Sequence, residues 1–171
     1  MKRAARKAPA AKAPRAPRAR TTPRARIASR GRAPAIDWEA LRTAAHAIRA
    51  SAHAPYSGYH VGAALLAEDG RVFVGCNVEN ASYGLCLCAE RSAIAQAVAA
   101  GAKRFVAIAV ASPGSAAATP CGMCRQVLAE FPPSFEVRCW AEQGEPIVTT
   151  VAALLPGAFD AAVLAAAKKK H

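Results

Sequence analysis

Asn77-Val78-Glu79-Asn80-Ala81-Ser82-Tyr83-Gly84-Leu85-Cys86-Leu87-Cys88-Ala89-Glu90-Arg91 runs from a strand end, through a polar turn, into the start of a helix. Its counterpart is Pro120-Cys121-Gly122-Met123-Cys124. About thirty residues separate the two, which fits one helix and one strand. Taken together they read as a zinc site with an acid/base carboxylate beside it. Cys88, Cys121 and Cys124 are the candidate ligands and Glu90 is the candidate proton carrier.

The residue types follow from the chemistry. A catalytic zinc keeps three protein ligands and leaves a fourth position for water, whose pKa it lowers toward neutrality. Glu90 stands two residues after a ligand, near enough to serve that water without ligating the metal. Three thiolates on one Zn²⁺ leave a net charge of −1, which needs an offset. Two helix starts aimed at the sulfurs provide one. Arg91, next to Glu90, provides another if it donates to a bound thiolate. A structural site that adds Cys86 as a fourth ligand is the competing reading, and it leaves Glu90 without a task. His46 and His53 are ligands in principle, but they read as ordinary polar or packing positions on or near a helix.

Working outward, Val72–Val78 delivers Asn77 and Glu79 at a strand end. It is the return strand of a hairpin from Val61–Ala67, turned at Glu68-Asp69-Gly70-Arg71. Polar side chains at a strand end beside a metal are placed to read ligand hydroxyls; turn chemistry is the plainer reading. Upstream, Asp37 suits a helix N-cap. Trp38, Leu41, Ala45, Ile48 and Ala52 then recur on one helical face, and Pro55 ends it. Downstream, Cys88–Ala100 reads as a helix stopped by Gly101, and Phe105–Ala111 as a buried strand. Cys121–Phe131 is a second site helix, ended by Pro132-Pro133. Phe135–Ala141 and Ile147–Val151 are strands, and a short helix runs through Leu155. The Ala-rich end, closing on Lys168-Lys169-Lys170-His171, reads as a frayed helix or tail. Strands alternating with helices after a hairpin predict an α/β fold. It is a three-layer α/β/α sandwich with a mixed sheet of about five strands.

Charge divides the chain. Of the 23 Lys and Arg, twelve lie in residues 1–34, which hold no Asp or Glu; the other eleven match the eleven acidic residues. The net charge of +12 is therefore a property of one segment. That segment is Ala, Pro, Arg and Lys with few large apolar residues, so it reads as disordered, able to touch nucleic acid weakly and non-specifically. Three parts are expected: a tail at 1–34, a folded domain at 35–161 and a C-terminal tail at 162–171. No secretory signal and no membrane span are read in the chain. The six cysteines, in a chain of ordinary core composition, point to a reducing compartment, and a cytoplasmic location is expected. Cys76, Cys86 and Cys139 read as plain thiols.

From about Trp38 to Phe159 the chain resembles the small homotetrameric cytidine deaminases. The match is carried by Ala54–Leu65, Gly75–Gly84, Cys88–Arg91, Pro120–Leu128 and Leu154–Phe159, five motifs in order. The resemblance implies one Zn²⁺ per subunit on the three thiolates, with Glu90 shuttling protons. It implies hydrolytic deamination of cytidine and deoxycytidine to uridine and deoxyuridine, a step of pyrimidine salvage. Asn77 and Glu79 would bind the ribose hydroxyls and the backbone near Ala89 would hold the base. Tyr59 would stack on the pyrimidine at a position where Phe is common. Tyr83 and Phe159 match residues that reach into a neighbouring subunit's site. Core packing is the plainer reading for Tyr59 and Phe159. Two other activities compete: deamination of a modified nucleoside or blasticidin-type antibiotic, and nucleic-acid binding or editing through the basic tail. The formally neutral folded part, without interleaved basic and aromatic residues, opposes the second.

Overall fold

The computed structural model describes residues 34–131 and 133–168. The readings for the basic segment up to residue 33, for Pro132 and for residues 169–171 lie outside the described residues.

The first helix, α1 (Trp38–Ile48), starts where Asp37 accepts a hydrogen bond from the Ala40 amide at 3.0 Å. This satisfies one of the amide donors that a helix start leaves open. Leu41 and Ala45 on its inner face are buried. The helix tightens to a 3-10 turn at Arg49–Ser51, ahead of Pro55. Beyond it, His53 donates to the Asn77 carbonyl at 3.0 Å and accepts from the Glu79 amide at 2.7 Å. The end of the α1 segment is thereby laced to the strand end that carries Asn77 and Glu79.

Strands β1 (Gly62–Ala67) and β2 (Val72–Cys76) form the antiparallel hairpin, with Gly70 at φ 84° in its turn. That left-handed conformation favours glycine. Strand β3 (Phe105–Ala111) pairs antiparallel with β1 and parallel with β4 (Glu136–Trp140); β5 (Ile147–Thr150) pairs antiparallel with β4. The sheet order is β2-β1-β3-β4-β5, a mixed five-stranded sheet. Alternating residues serve its two faces, as the two-residue period of a strand requires. Ala63, Leu65, Ile108 and Val110 face a core shared with helices α2 (Ala89–Ala99) and α3 (Gly122–Ala129). Ala64, Leu66, Ala107, Ala109 and Ala111 face α1 with Trp140. Helices therefore cover both faces, and the expected three layers are present.

Two glycines set how closely the helices approach. A Cβ on Gly62 would stand 2.0 Å from the Ala45 carbonyl oxygen. One on Gly75 would stand 2.3 Å from the Ala93 nitrogen and 2.5 Å from the Ala89 oxygen. Without side chains at these points α1 sits hard on β1, and α2 on β2. The second contact fixes the start of α2 relative to the sheet.

The chain ends with α4 (Val151–Leu154), capped by the Thr150 side chain on the Ala153 amide at 3.2 Å, and α5 (Ala161–Lys168). A frayed helix or tail is expected over 162–171; the structure has a helix beginning at Ala161, with Val163 and Leu164 exposed. Two expected helices each begin one residue later than read. Cys88 and Cys121 are the capping residues of α2 and α3, with extended backbone, instead of their first turns.

Candidate active site

Neither capping cysteine bonds its own helix with its side chain. Both sulfurs turn toward Cys124, which is fully buried in the first turn of α3. The sulfurs of Cys88, Cys121 and Cys124 lie within 4.8 Å of one another, and Cys88 and Cys121 are 3.7 Å apart. Two thiolates on one tetrahedral zinc, each about 2.3 Å from it, stand roughly 3.8 Å apart. The donor set and its spacing therefore fit zinc. Cys86, the fourth-ligand candidate, is outside the cluster: its sulfur meets the Asn80 amide at 3.4 Å. Neither His46 nor His53 joins it among the described residues.

The cluster polarises its own thiols. The neighbouring Cys124 thiol, with further help from Arg91, holds the Cys88 thiol well below its ordinary range. Cys124 is correspondingly raised. The Arg91 guanidinium donates to the Cys86 carbonyl at 2.6 Å and reaches the Cys88 sulfur at 3.7 Å. The contact expected of Arg91 is present. Its Nε is buried and has no hydrogen-bond partner among the described residues.

Glu90 follows the Cys88 cap by two residues, so the first turn of α2 carries it to the same spot. It is 4% exposed, and burial, then the Cys88 thiolate, raises its carboxyl pKa. It opens with Cys88, Ala89 and Cys121 onto a cavity of about 270 Å³. The other wall is the strand end and the loop before β1: Ser57, Tyr59, Asn77 and Glu79. The cavity also meets Val110 and Ser112 at the carboxyl end of β3, where α/β sheets ordinarily bind ligands.

Asn77 and Glu79 are already engaged. The Asn77 side-chain Oδ1 accepts from the Val61 amide at 2.8 Å, and its side-chain Nδ2 donates to the Tyr59 carbonyl at 2.9 Å. Glu79 accepts from the Tyr56 amide at 2.9 Å, the Ser57 amide at 3.2 Å and the Ser57 hydroxyl. The Ser57 hydroxyl, ahead of those amides, lowers the carboxyl pKa of Glu79. The Tyr59 ring is 41% exposed, so core packing does not describe it.

Tyr83 and Phe159 are not among the residues lining the cavity of this chain. They are 73% and 61% exposed, so Phe159 is not a core residue either. Tyr83 meets the Tyr56 ring edge-on, with centroids 6.0 Å apart.

Two residues escaped the sequence reading as site residues. Ser57 donates to Glu79 and accepts from the Tyr59 amide at 2.9 Å, tying both to one loop. Ser112 is 1% exposed, and its hydroxyl donates to the Trp140 carbonyl at 3.3 Å and accepts from the Ala118 amide at 3.4 Å. The available signal for Ser112 was a lone hydroxyl closing the apolar run of β3.

Comparison with known proteins bears on this geometry. Residues 37–137 match the family described as the cytidine and deoxycytidylate deaminase zinc-binding region. The chain is 47% identical over 125 residues to a cytidine deaminase of Sporosarcina psychrophila, covering 72% of this chain and 92% of that one. It is 47% identical over 127 residues to a cytidine deaminase of Halalkalibacterium halodurans, covering 74% and 96%. The crystal structure of cytidine deaminase from Burkholderia pseudomallei superposes with a TM-score of 0.70 at 52% identity, over 72% of this chain and all of that one. A three-thiol cluster beside a buried glutamate lies in the matched region, so the chain belongs to the cytidine and deoxycytidylate deaminase family.

Proposed function

We propose that this chain catalyses the hydrolytic deamination of cytidine and deoxycytidine to uridine and deoxyuridine, with release of ammonia, as a step of pyrimidine salvage. The observation that carries the reading is a cluster of three thiols beside a buried glutamate, with Cys88, Cys121 and Glu90 lining one cavity. Cys88, Cys121 and Cys124 would hold one Zn²⁺ per chain, and Arg91 would offset the excess negative charge of the thiolates. When bound, the ion would supply Lewis acidity that lowers the pKa of water toward neutrality.

The chain's own groups do the rest. Glu90 takes the proton released by the attacking water, delivers it to the ring nitrogen beside the reacting carbon, and then serves the departing amine. Overall, the carbon–nitrogen bond to the amine breaks and a carbon–oxygen bond replaces it. Burial raises the affinity of Glu90 for a proton, which suits a group that must accept one and pass it on. The Ala89 backbone faces the base. Tyr59 offers the base its ring face, and Asn77 and Glu79 offer the sugar hydroxyls one remaining amide hydrogen and one remaining carboxylate lone pair.

We assign the catalytic domain to residues 35–161, between a basic tail at 1–34 and a C-terminal tail at 162–171. A homotetramer would give exposed Tyr83 and Phe159 partners at a neighbouring cavity. A cytoplasmic setting agrees with six free cysteines. No helix of the described residues is long and apolar enough to cross a membrane.

The test is a deamination assay on cytidine, deoxycytidine and a short single-stranded oligonucleotide, with a Glu90→Gln control. Turnover of the free nucleosides alone, lost in the control while zinc stays bound, is the expected result. Zinc-loaded protein inert toward both nucleosides would overturn it.

A further inference from the structure

The thiols of α3 are tied to a distant segment by the two residues that follow Cys124. The Arg125 guanidinium donates to the Pro120 carbonyl at 2.7 Å, to the Thr119 hydroxyl at 2.9 Å and to the Leu154 carbonyl at 3.1 Å. Pro120 directly precedes the ligand candidate Cys121, and Thr119 lines the cavity. Leu154 is the last residue of α4. One planar group therefore spans the ligand loop and the end of α4. Gln126, next along α3, donates to the Phe159 carbonyl at 2.7 Å. Among the described residues, no other hydrogen bond reaches a backbone group of 156–159.

We propose that Arg125 and Gln126 are positioning residues that couple occupancy of the three-thiol centre to the placement of Phe159. The inference rests on the reading that the thiols hold a metal, and does not depend on the reaction. An ion gathering Cys121 and Cys124 fixes the loop at Pro120 and the first turn of α3. Fixing that turn fixes the two side chains that hold Leu154 and Phe159. Residues 156–159 belong to no helix or strand: a turn at Pro156-Gly157 is followed by irregular chain, and the Gln126 bond to Phe159 ties its far end to α3. Coupling of this kind is reciprocal: whatever docks Phe159 also favours the ion.

The experiment uses full-length protein made with 4-fluorophenylalanine, which labels five positions. The Phe159 fluorine line is identified by its absence in Phe159→Leu. Zinc content is measured first. Removing zinc from wild type is expected to shift the Phe159 line and narrow it roughly twofold, as the segment gains motion. Gln126→Ala is expected to bind one zinc per chain and to show the narrow line with and without it. Gln126→Glu has the same shape but cannot donate, and is expected to behave alike. By reciprocity, both variants lose zinc to a chelator at about fivefold lower chelator concentration, the scale of one hydrogen bond. A Phe159 line that ignores zinc in wild type, or answers zinc equally in Gln126→Ala, overturns the coupling. Protein that binds no zinc at all overturns the metal reading, and the coupling with it.

Discussion

The two walls of the cavity are built differently. The thiol wall stands on helix starts: Cys88 caps α2, Cys121 caps α3, and Glu90 and Cys124 sit in the first turns. Cys124 and Glu90 are buried, Cys88 is half-buried and Cys121 is exposed, and the sulfurs meet chiefly one another and a guanidinium. The opposite wall stands on a loop and a strand end. It is open to solvent, and its polar groups are already paired: Glu79 accepts three hydrogen bonds from residues 56 and 57 before any ligand arrives. The thiol wall is thus held by the core and completed by an ion. The polar wall is held by its own hydrogen bonds. Damage to the first should abolish function, and damage to the second should only detune it.

The largest effect expected is that of Glu90→Gln. It keeps shape and burial but removes proton transfer, a contribution of roughly 10²–10⁴-fold. We expect kcat on cytidine to fall by at least about 10³-fold while zinc content, measured by metal analysis, is unchanged. A fall of less than tenfold would remove the distinction between the walls. Gly75→Ala comes next. Its Cβ would press on the Ala93 nitrogen and the Ala89 oxygen, backbone atoms that cannot step aside. Overpacking of this kind costs about 1–3 kcal/mol. A lower midpoint in urea should accompany weaker zinc binding, because α2 carries Cys88. Lost stability with zinc affinity intact would mean that α2 does not position the thiol wall.

The sequence made the first wall legible and the second only partly so. Cysteines two or three residues from a glutamate or another cysteine, at helix starts, permit few arrangements. A metal demands that they meet, so their spacing carried the geometry. The short, continuously apolar Ala63–Ala67 run and the Asp69-Gly70 turn made the hairpin legible in the same way, because a buried strand ending in a tight turn must be followed by its antiparallel partner. Ser57 and Ser112 carried no such demand. A serine in a loop or at a strand end is ordinary turn chemistry until its partners are known. Those partners, Glu79 and Trp140, lie far off in the chain. Phe159 is a further case: its exposed ring has no role within one chain, and only the family resemblance gave it one.

A smaller effect is expected from Ser57→Ala, and it probes the second wall directly. The hydroxyl bridges the Glu79 carboxylate and the Tyr59 amide. Its loss leaves Glu79 two backbone donors and releases the Tyr59 amide, while the Tyr59 carbonyl still accepts from Asn77. A hydrogen bond to a charged group is stronger than one between neutral groups, although solvent weakens it at this exposed site. KM for cytidine should rise about tenfold with kcat little changed, since the chemistry at Glu90 is untouched. The proton linkage has a definite sign. Ser57 lowers the Glu79 pKa from the ordinary 4.5, so the bond stabilises the fold above that value and its contribution is lost as pH falls through the depressed pKa. The stability gap between wild type and Ser57→Ala, read from urea midpoints, should be full at pH 6 and close in strong acid. The Glu79 carboxyl resonance should titrate at higher pH in the variant. A gap that widened toward acid would mean that the hydroxyl favours the protonated carboxyl. The polar wall would then owe its order to something other than the Ser57–Glu79 bond.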